Sequence, residues 1–389
     1  KDFFGFLRTI SVKIVKTGQE FYSEEAFKKW CIDNPNVKFK QGDVKYFKGL
    51  GTLTNRDKDR LVKKFNIVYI NAESDISETL HKSFDDSQAD YRKYQISNYK
   101  FKNIYKEDVG IQYVDGKTMI DMDLAGFGVD SVQSKLPNLI DGLKECHRKI
   151  LYTWFKKYGN TKKDIKVGTL GPFTSGYTYY HHGEKSLNDA IIAMARDYPG
   201  SNNIPYISKQ GEFGSREFGG ANAASDRYTY VNKEPYTQLL FNIDNIKMLH
   251  YKKNEDGNPI EPEYFQPVIC LALVNGSLAF PYGWKTDIPQ FNYKDIINHH
   301  KQYIQCYKNG EGGVIHKKYI PYYRGFTGEI VPYENGFITR GKYKLLSKKN
   351  GTYTYKISEY PIGVSYETQL TMMKYGITAK KDKKSIQST

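Results

Sequence analysis

Alternating apolar and polar residues at the start of the chain predict a strand followed by a helix. Ile10, Val12 and Ile14 alternate with polar neighbours, which is the period of a half-buried strand. Ser23 stands before two glutamates and favours a helix that begins there and closes near Trp30. This stretch is therefore predicted to begin an α/β unit.

The same pattern continues to about residue 75. Residues 46–52 (YFKGLGT) predict a glycine turn that opens a charged helix, and residues 66–70 predict a second strand. Strand, helix, turn, helix and strand together indicate that residues 1–75 are part of a parallel-sheet domain. Residues 76–115 are polar and are predicted to form a helix followed by an irregular connection.

Helical spacing dominates the middle of the chain. Four apolar residues fall on one face of a predicted helix: Leu143, Cys146, Ile150 and Trp154. Lys144 and Arg148 lie four residues apart on another face, which is predicted to be cationic. A capping box at Ser186 and Asp189 predicts a second helix, and residues 228–231 predict a strand. Short helices followed by a strand are typical of a winged-helix unit, in which one helix enters a groove of duplex DNA.

Beyond about residue 256 the pattern is mainly that of β-structure. Asn350 and Gly351, between two strand-like runs, predict a hairpin. One amphipathic helix interrupts this region with five residues on one face: Ile296, Ile297, His300, Tyr303 and Ile304. The charge run at 380–384 is predicted to be a solvated tail. The whole pattern predicts a multidomain chain of the α/β and α+β classes.

Charge and composition indicate a polyanionic partner. The chain has 389 residues, a formal net charge of +15 and 15% aromatic residues. Lysine and arginine gain affinity for nucleic acid by releasing phosphate counterions, although a generic basic surface gives the same total charge. Two or three domains are expected, because single cores stop growing at roughly 250–300 residues.

Cysteine usage and hydropathy bound the compartment. The four cysteines have no CxxC spacing, which argues against a disulfide framework or a zinc site. No apolar run approaches the roughly 18 residues of a membrane span, and the first residues do not form a signal peptide. The protein is therefore expected to be soluble and intracellular, with no membrane partner. It begins at Lys1 and is expected to be a piece of a longer protein.

Arg227 and Tyr228 are the candidate catalytic pair. A tyrosine hydroxyl has a reference pKa near 10, so it needs a base or a cationic neighbour to act as a nucleophile. The guanidinium of Arg227 can supply that neighbour and can pair bidentately with a phosphate. Because the chain has 34 tyrosines, the alternative is that Tyr228 is an ordinary half-buried aromatic residue.

Histidines and glycines precede this pair in the chain. His181 and His182 stand just before Glu184, but adjacent residues of a regular element point apart, which disfavours a shared metal ion. A hydrogen-bonding role toward phosphate or the nucleophile and an ordinary structural role both stay open. Residues 210–220 contain four glycines, which allow close backbone approach, and a flexible surface loop is the alternative.

Two basic stretches are candidate phosphate contacts. Lys48 stands in the glycine turn, whose amides could approach a phosphate closely, although such glycines are also ordinary turn residues. The predicted helix around residue 146 carries three basic residues that could follow a duplex: Lys144, Arg148 and Lys149. A merely solvated charged face is the alternative for this helix.

In chain order, several segments resemble the DNA-binding and cleavage core of type IIA DNA topoisomerases of the eukaryotic and large-DNA-virus kind. The resemblance rests on YFKGLGT (46–52), LPNLIDGLKECHRKIL (136–151), YHHGEKSL (180–187), GSNNIPYISKQGEFGSREFGG (200–220), ASDRYTY (224–230), EPEYFQP (261–267) and LVNGSLAFPYGW (273–284). It implies four regions in order: the C-terminal part of a Rossmann-like TOPRIM domain (1–75), a connecting segment (76–115), a winged-helix DNA-cleavage domain (116–255) and a mixed α/β tower domain (256–389).

The resemblance also implies a reaction. Tyr228 would attack a DNA phosphodiester and form a 5′-phosphotyrosyl link, while Arg227 holds the scissile phosphate and His182, with His181 beside it, assists the nucleophile. Four residues would contact the DNA backbone: Lys48, Lys144, Arg148 and Lys149. Two such subunits would cut both strands of double-stranded DNA and pass a second duplex through the break, in the nucleus or, for a viral enzyme, in the host cytoplasm or the virion.

The chain departs from the family pattern in two places. Phe280 stands where the family usually has an isoleucine wedged between base pairs, and Pro281 replaces the following glycine; a phenylalanine can also act as an apolar wedge. Glu145, Cys146 and His147 replace the usual proline, glycine and glutamine.

The family's Mg²⁺ ligands and its ATP-binding domain are expected upstream of Lys1, so no metal ligand is predicted within this chain. Without them, the chain alone is expected to bind duplex DNA and not to cleave it efficiently. The alternative function is a non-enzymatic DNA-binding module, in which Tyr228 only packs. A tyrosine recombinase or relaxase would need a different set of arginines and histidines around its tyrosine.

Overall fold

Two compact units make up the described part of the chain. The computed structural model describes residues 4–40, 42–47, 53–63, 65–71, 76–106, 110–159, 161–180, 182–254, 257–310, 318–334 and 336–379. One unit lies within Lys1–Gln133 together with Phe280–Lys285, and the other lies within Ser134–Ala279 and Thr286–Thr389.

The chain up to residue 135 contains six strands and six α-helices in its described residues. The strands are β1 (Phe4–Leu7), β2 (Val12–Ile14), β3 (Glu20–Phe21), β4 (Val44–Tyr46), β5 (Ile67–Asn71) and β6 (Ile111–Asp115). The helices are α1 (Glu24–Asp33), α2 (Asn55–Lys63), α3 (Ile76–Phe84), α4 (Ala89–Ser97), α5 (Gly116–Met119) and α6 (Ala125–Lys135). Two three-stranded sheets form, with the orders β1-β5-β6 and β3-β2-β4.

The first predicted strand and helix are confirmed. Ile10, Val12 and Ile14 are buried, as the alternation requires, because every second side chain of a strand points to the same face. The hydroxyl of Ser23 accepts a hydrogen bond from the amide of Ala26 at 3.1 Å and caps α1, which satisfies one of the helix's otherwise unpaired amides.

The predicted parallel sheet is wrong for most of this region. Only β5 and β6 pair in parallel among its described strands, whereas β1–β5, β2–β3 and β2–β4 are antiparallel. Strand β6 lies in the segment predicted to be an irregular connection. It was missed because its burial is inverted: Ile111 and Tyr113 are exposed whereas Gln112 is buried, so its hydrophobic pattern does not mark one face.

The rest of the chain adds seven α-helices and eleven strands in its described residues. The helices are α7 (Glu145–Thr153), α8 (Val167–Thr178), α9 (Glu184–Ala195), α10 (Thr237–Leu240), α11 (Leu271–Asn275), α12 (Tyr293–Lys308) and α13 (Tyr366–Ala379). The strands are β7 (Ile165–Lys166), β8 (Ile207–Gln210), β9 (Tyr230–Lys233), β10 (Tyr251–Lys253), β11 (Pro259–Pro262), β12 (Ser277–Ala279), β13 (Thr286–Ile288), β14 (Glu329–Tyr333), β15 (Gly336–Arg340), β16 (Lys342–Lys349) and β17 (Thr352–Glu359).

Helices α7, α8 and α9 pack with a three-stranded sheet of order β7-β9-β8 around one core. The predicted apolar face of α7 is buried in that core at Leu143, Ile150 and Trp154. The strand predicted at 228–231 forms two residues later, as β9, because residues up to Tyr228 are used in a turn. This arrangement places the turn at the edge of a rigid core.

The hairpin predicted at Asn350 and Gly351 is confirmed as β16–β17. Both turn residues have positive φ, 46° and 76°, which is the geometry that a two-residue hairpin loop needs. Helix α12 is also confirmed, and Ile296 is its buried anchor. The charge run predicted to be a tail, 380–384, lies outside the described residues. No helix in the described part of the chain combines the length and the hydropathy of a membrane span.

Candidate active site

Arg227 and Tyr228 lie in a tight turn just before β9. The amide of Tyr228 donates to the carbonyl of Ser225 at 2.8 Å, and Nε of Arg227 donates to the Ser225 hydroxyl at 3.4 Å. The Tyr228 side chain is 67% exposed, and the Arg227 guanidinium lies 5.4 Å from the centre of its ring. The alternative of a half-buried packing tyrosine therefore does not fit, because this phenol projects into solvent beside a cation.

The N-terminus of α8 fixes this turn from below. The amide of Gly168 donates to the carbonyl of Asp226 at 3.0 Å, and the amide of Val167 donates to the carbonyl of Thr229 at 3.0 Å. Thr229 is fully buried, and β9 continues directly as the central strand of its sheet. Because its backbone is held on both sides, the turn presents Arg227 and Tyr228 in one orientation.

Helix α9 contacts the turn through one side chain. Nδ2 of Asn188 donates to Oδ2 of Asp226 at 2.5 Å. A cavity of about 690 Å³ opens between the first turns of α9 and the segment at 220–226, and its charged lining residues are Glu184, Lys185, Asp189, Arg196 and Asp226. The mixed signs of these charges leave the cavity without a single preferred ligand charge.

His182 precedes α9 and is exposed. Its ring lies edge-on to Tyr180, with 5.2 Å between the ring centres. His181 lies outside the described residues. The capping-box prediction is wrong by two residues, since α9 begins at Glu184 with Gly183 as its N-cap and the Ser186 hydroxyl donates back to the Gly183 carbonyl at 2.7 Å.

The glycine-rich run is a folded loop and not a flexible one. Arg196 donates from Nε to the carbonyl of Phe213 at 2.9 Å and from a terminal nitrogen to the carbonyl of Gly220 at 2.7 Å. Gly214 and Gly220 have positive φ, and a β-carbon on either would lie 2.5 Å from its neighbour. Gly211, also at positive φ, lies against the Tyr228 carbonyl, so the loop supports the turn from the side opposite α8.

Arg148 and Lys149 correct the predicted DNA-contacting face of α7, because both are only 3% exposed. Arg148 pairs with Asp141 through two hydrogen bonds of 2.8 and 3.0 Å. Lys149 donates to Glu261 at 2.8 Å and to the carbonyl of Thr178 at 2.8 Å. These cations are paired inside the fold, so they are structural and do not reach a duplex.

The other predicted DNA contacts have different positions. Lys144 is half-buried at the start of α7, and its ammonium group donates to the Leu278 carbonyl at 3.2 Å. Phe280 is 63% exposed, with the ammonium of Lys285 5.7 Å from its ring centre. Lys48 lies outside the described residues. An exposed aromatic ring at Phe280 is compatible with the predicted wedge.

Two residues of the site were missed from the sequence. Asn188 sits on the buried face of α9, between Leu187 and Ile191, and a polar residue on an apolar face signals a buried partner. That partner, Asp226, directly precedes the candidate pair. The described residues contain no group of three or more His, Cys, Asp or Glu side chains that could hold a metal ion, so the described part of the chain does not fit a Mg²⁺ site by itself.

Comparison with known proteins gives the family. Residues 135–388 match the family model described as DNA gyrase/topoisomerase IV, and residues 7–131 match the C-terminal associated domain of TOPRIM. DNA topoisomerase 2 of Invertebrate iridescent virus 6 is 37% identical over 94% of this chain, and DNA topoisomerase 2-alpha of Cricetulus griseus is 32% identical over 90%.

The similarity extends to the fold. A solved structure described as the Plasmodium falciparum topoisomerase II DNA-binding, cleavage and re-ligation domain has a TM-score of 0.70 and 29% identity, and the match covers 97% of this chain and 50% of that one. The chain spans 32% and 23% of the lengths of the two relatives. Since both family models match in order and the relatives cover nearly the whole chain, this chain belongs to the type IIA DNA topoisomerases.

Proposed function

We propose that this chain is the DNA-binding and cleavage core of an ATP-dependent type II DNA topoisomerase, and that Tyr228 is its nucleophile. The observation that carries the proposal is the exposed phenol of Tyr228 on a turn held by α8 and α9, with the Arg227 guanidinium beside it. The name of the similar solved structure, a DNA-binding, cleavage and re-ligation domain, supports it.

The proposed step is a reversible transesterification. The Tyr228 oxygen forms a bond to phosphorus while the bond from phosphorus to the 3′ oxygen breaks, and the 3′ oxygen takes up a proton. The phosphodiester energy stays in the 5′-phosphotyrosyl bond, so the 3′ hydroxyl can attack in turn and rejoin the strand. Arg227 pairs with the charged phosphate oxygens, and His182 assists by taking the phenolic proton. Two subunits acting on opposite strands open a duplex for a second one.

The finer domain assignments belong to the same proposal. Helices α7–α9 followed by the β7-β9-β8 sheet support a winged-helix identity for the region 116–255. We assign 1–75 to the end of a TOPRIM domain, 76–115 to a connecting segment and 256–389 to a tower domain, with Phe280 as the wedge between base pairs. A homodimer, a nuclear or virus-associated location, and Mg²⁺ held by acidic residues preceding Lys1 complete the proposal.

Covalent trapping tests the proposed reaction. The full-length protein is mixed with Mg²⁺ and supercoiled DNA, and the reaction is stopped with denaturant. We expect a protein–DNA adduct with the wild type, none with Tyr228→Phe, and wild-type amounts with the matched control Tyr230→Phe, whose half-buried ring lies on β9. Both variants should keep duplex binding, measured as Kd.

Two outcomes would overturn the proposal. An adduct formed by Tyr228→Phe would remove Tyr228 from the chemistry. Salt-sensitive duplex binding without an adduct from the wild type would favour the non-enzymatic DNA-binding module, because phosphate contacts alone produce steep salt dependence.

A further inference from the structure

Asn188 is a buried amide fixed between two helices. It lies on α9, is 6% exposed and donates from Nδ2 to the Asp226 carboxylate at 2.5 Å. Its Oδ1 has no hydrogen-bond partner among the described residues and is packed against Gly171 of α8, where an added β-carbon would lie 1.8 Å from Oδ1. The donating side of the amide therefore has one direction available, toward Asp226.

Asp226 is restrained at three of its oxygen atoms. Asn188 holds Oδ2, the Ser225 hydroxyl donates to Oδ1 at 3.3 Å, and the amide of Gly168 donates to the backbone carbonyl at 3.0 Å. Two helices and the turn itself thus fix a single side chain, and that side chain directly precedes the catalytic pair.

A carboxylate beside Arg227 poses an electrostatic problem. A free aspartate next to an arginine can pair with its guanidinium and compete with the phosphate that the arginine should bind. In the described part of the chain, no carboxylate lies within ion-pair distance of Arg227, which contacts Ser225 and the Tyr228 ring. The Asp226 carboxylate instead lies toward α9.

We propose that Asn188 is a positioning residue that holds the Asp226 carboxylate away from Arg227, which leaves the guanidinium for the scissile phosphate and fixes how the turn presents Tyr228. The inference rests on the proposed function of Tyr228. Asn188 does not contact the DNA; it acts through Asp226. The pair should therefore behave as one coupled unit in cleavage.

Exchanging donor and acceptor tests this coupling. Asn188→Asp places two carboxylates at hydrogen-bond distance, and their repulsion should displace the turn and slow single-turnover adduct formation roughly ten- to a hundredfold at saturating DNA. The double variant Asn188→Asp/Asp226→Asn again has one donor facing one acceptor and should recover most of the rate. Duplex Kd should change little in either variant.

The pH profile separates positioning from simple loss of fold. Two facing carboxylates share a proton more readily than one carboxylate binds it, so the deficit of Asn188→Asp relative to the wild type should shrink as the pH is lowered. Asp189→Asn, an exposed charge change at the next position of α9, is the matched control and should stay within about twofold of the wild-type rate.

A second pair keeps the test decisive if Asn188→Asp does not fold. Asn188→Ala frees the carboxylate and should slow cleavage, and adding Asp226→Ala removes the competing anion and should restore part of the rate. Wild-type cleavage by the folded Asn188 variants, or no recovery in either double variant, would overturn the inference. These results are distinct from failure of the proposed function, in which the wild type forms no adduct or Tyr228→Phe still forms one.

Discussion

At the residue scale, buried charge in the second unit serves stability. Asp141 has no exposed surface, and besides Arg148 it accepts the amides of Leu143 and Phe265 at 2.9 and 3.0 Å. Removing one partner of such a buried pair leaves the other charge without compensation. The carboxylate therefore organises the segment before α7 only while Arg148 is present.

Arg148→Met should destabilise the fold by about 3–5 kcal/mol, because it strands the Asp141 carboxylate in the core. Urea unfolding measures the loss, and Lys185→Met, at an exposed position of α9, should change stability by less than about 0.5 kcal/mol. If Arg148→Met unfolds like the wild type and only weakens duplex binding, Arg148 is the DNA contact that the sequence predicted.

His147 makes stability depend on pH. Burial lowers its pKa to about 4, and the nearby charges of Lys144 and Arg148 act in the same direction. Protons bind the unfolded chain more readily between that value and the ordinary histidine value near 6.5, so this contribution is complete above pH 6.5 and is lost as pH falls toward 4.

His147→Gln should therefore reduce the acid sensitivity of folding. The difference in Tm between variant and wild type, followed from pH 7 to pH 4, should shift in favour of the variant as the pH falls. A difference that stays constant across this range would contradict the buried, neutral histidine.

Single residues differed in how far the sequence revealed them. Arg227 and Tyr228 could be predicted from their neighbours, because a cation beside a tyrosine has a chemical reason. The burial of Lys149 could not, since its partner Glu261 is 112 residues away in sequence. Helical spacing gives the face of a side chain but does not give what covers that face.

At the element scale, the close packing of α8 on α9 positions the candidate site. Gly171 allows this approach, because any side chain there would occupy the space of the Asn188 amide. The turn that bears Tyr228 is bonded to both helices. A change in the spacing of the two helices should therefore reach the turn.

Gly171→Ala should lower both stability and the rate of adduct formation, because its β-carbon would lie 1.8 Å from Oδ1 of Asn188. Gly176→Ala on the same helix has open space around it and should be neutral or stabilising by up to about 1 kcal/mol. Tm and single-turnover cleavage of the two variants make the comparison. Equal behaviour of both would show that the helix spacing does not control the site.

Local signals predicted some elements well and others poorly. The β16–β17 hairpin followed from Asn350 and Gly351, whose turn geometry is local. The parallel pairing of β5 with β6 depends on a partner strand beyond α3 and α4, and no local pattern encodes that pairing. Strand existence was therefore more predictable than strand direction.

At the scale of the whole molecule, the two units do not follow the chain in simple order. Residues 280–285 belong to the first unit although the residues on both sides belong to the second. The Tyr282 hydroxyl donates to the carbonyl of Ser83 at 3.1 Å within that first unit. Contiguous domains predicted from composition could not contain such a crossing.

The net charge of +15 is compatible with a polyanionic partner, but it does not identify the reaction. The reaction depends on a single phenol, since the proposed function requires that DNA become covalently joined to this chain. Identifying the modified residue therefore tests the account more directly than any affinity does.

The decisive measurement is mass spectrometry of the trapped adduct. After cleavage by the full-length protein with Mg²⁺, nuclease and protease digestion leaves a nucleotide on the peptide that held the DNA. The account predicts a 5′-phosphotyrosyl modification on Tyr228, with free 3′ hydroxyls on the cut strands. A modification on any other residue, or a 3′-phosphotyrosyl link, would contradict it.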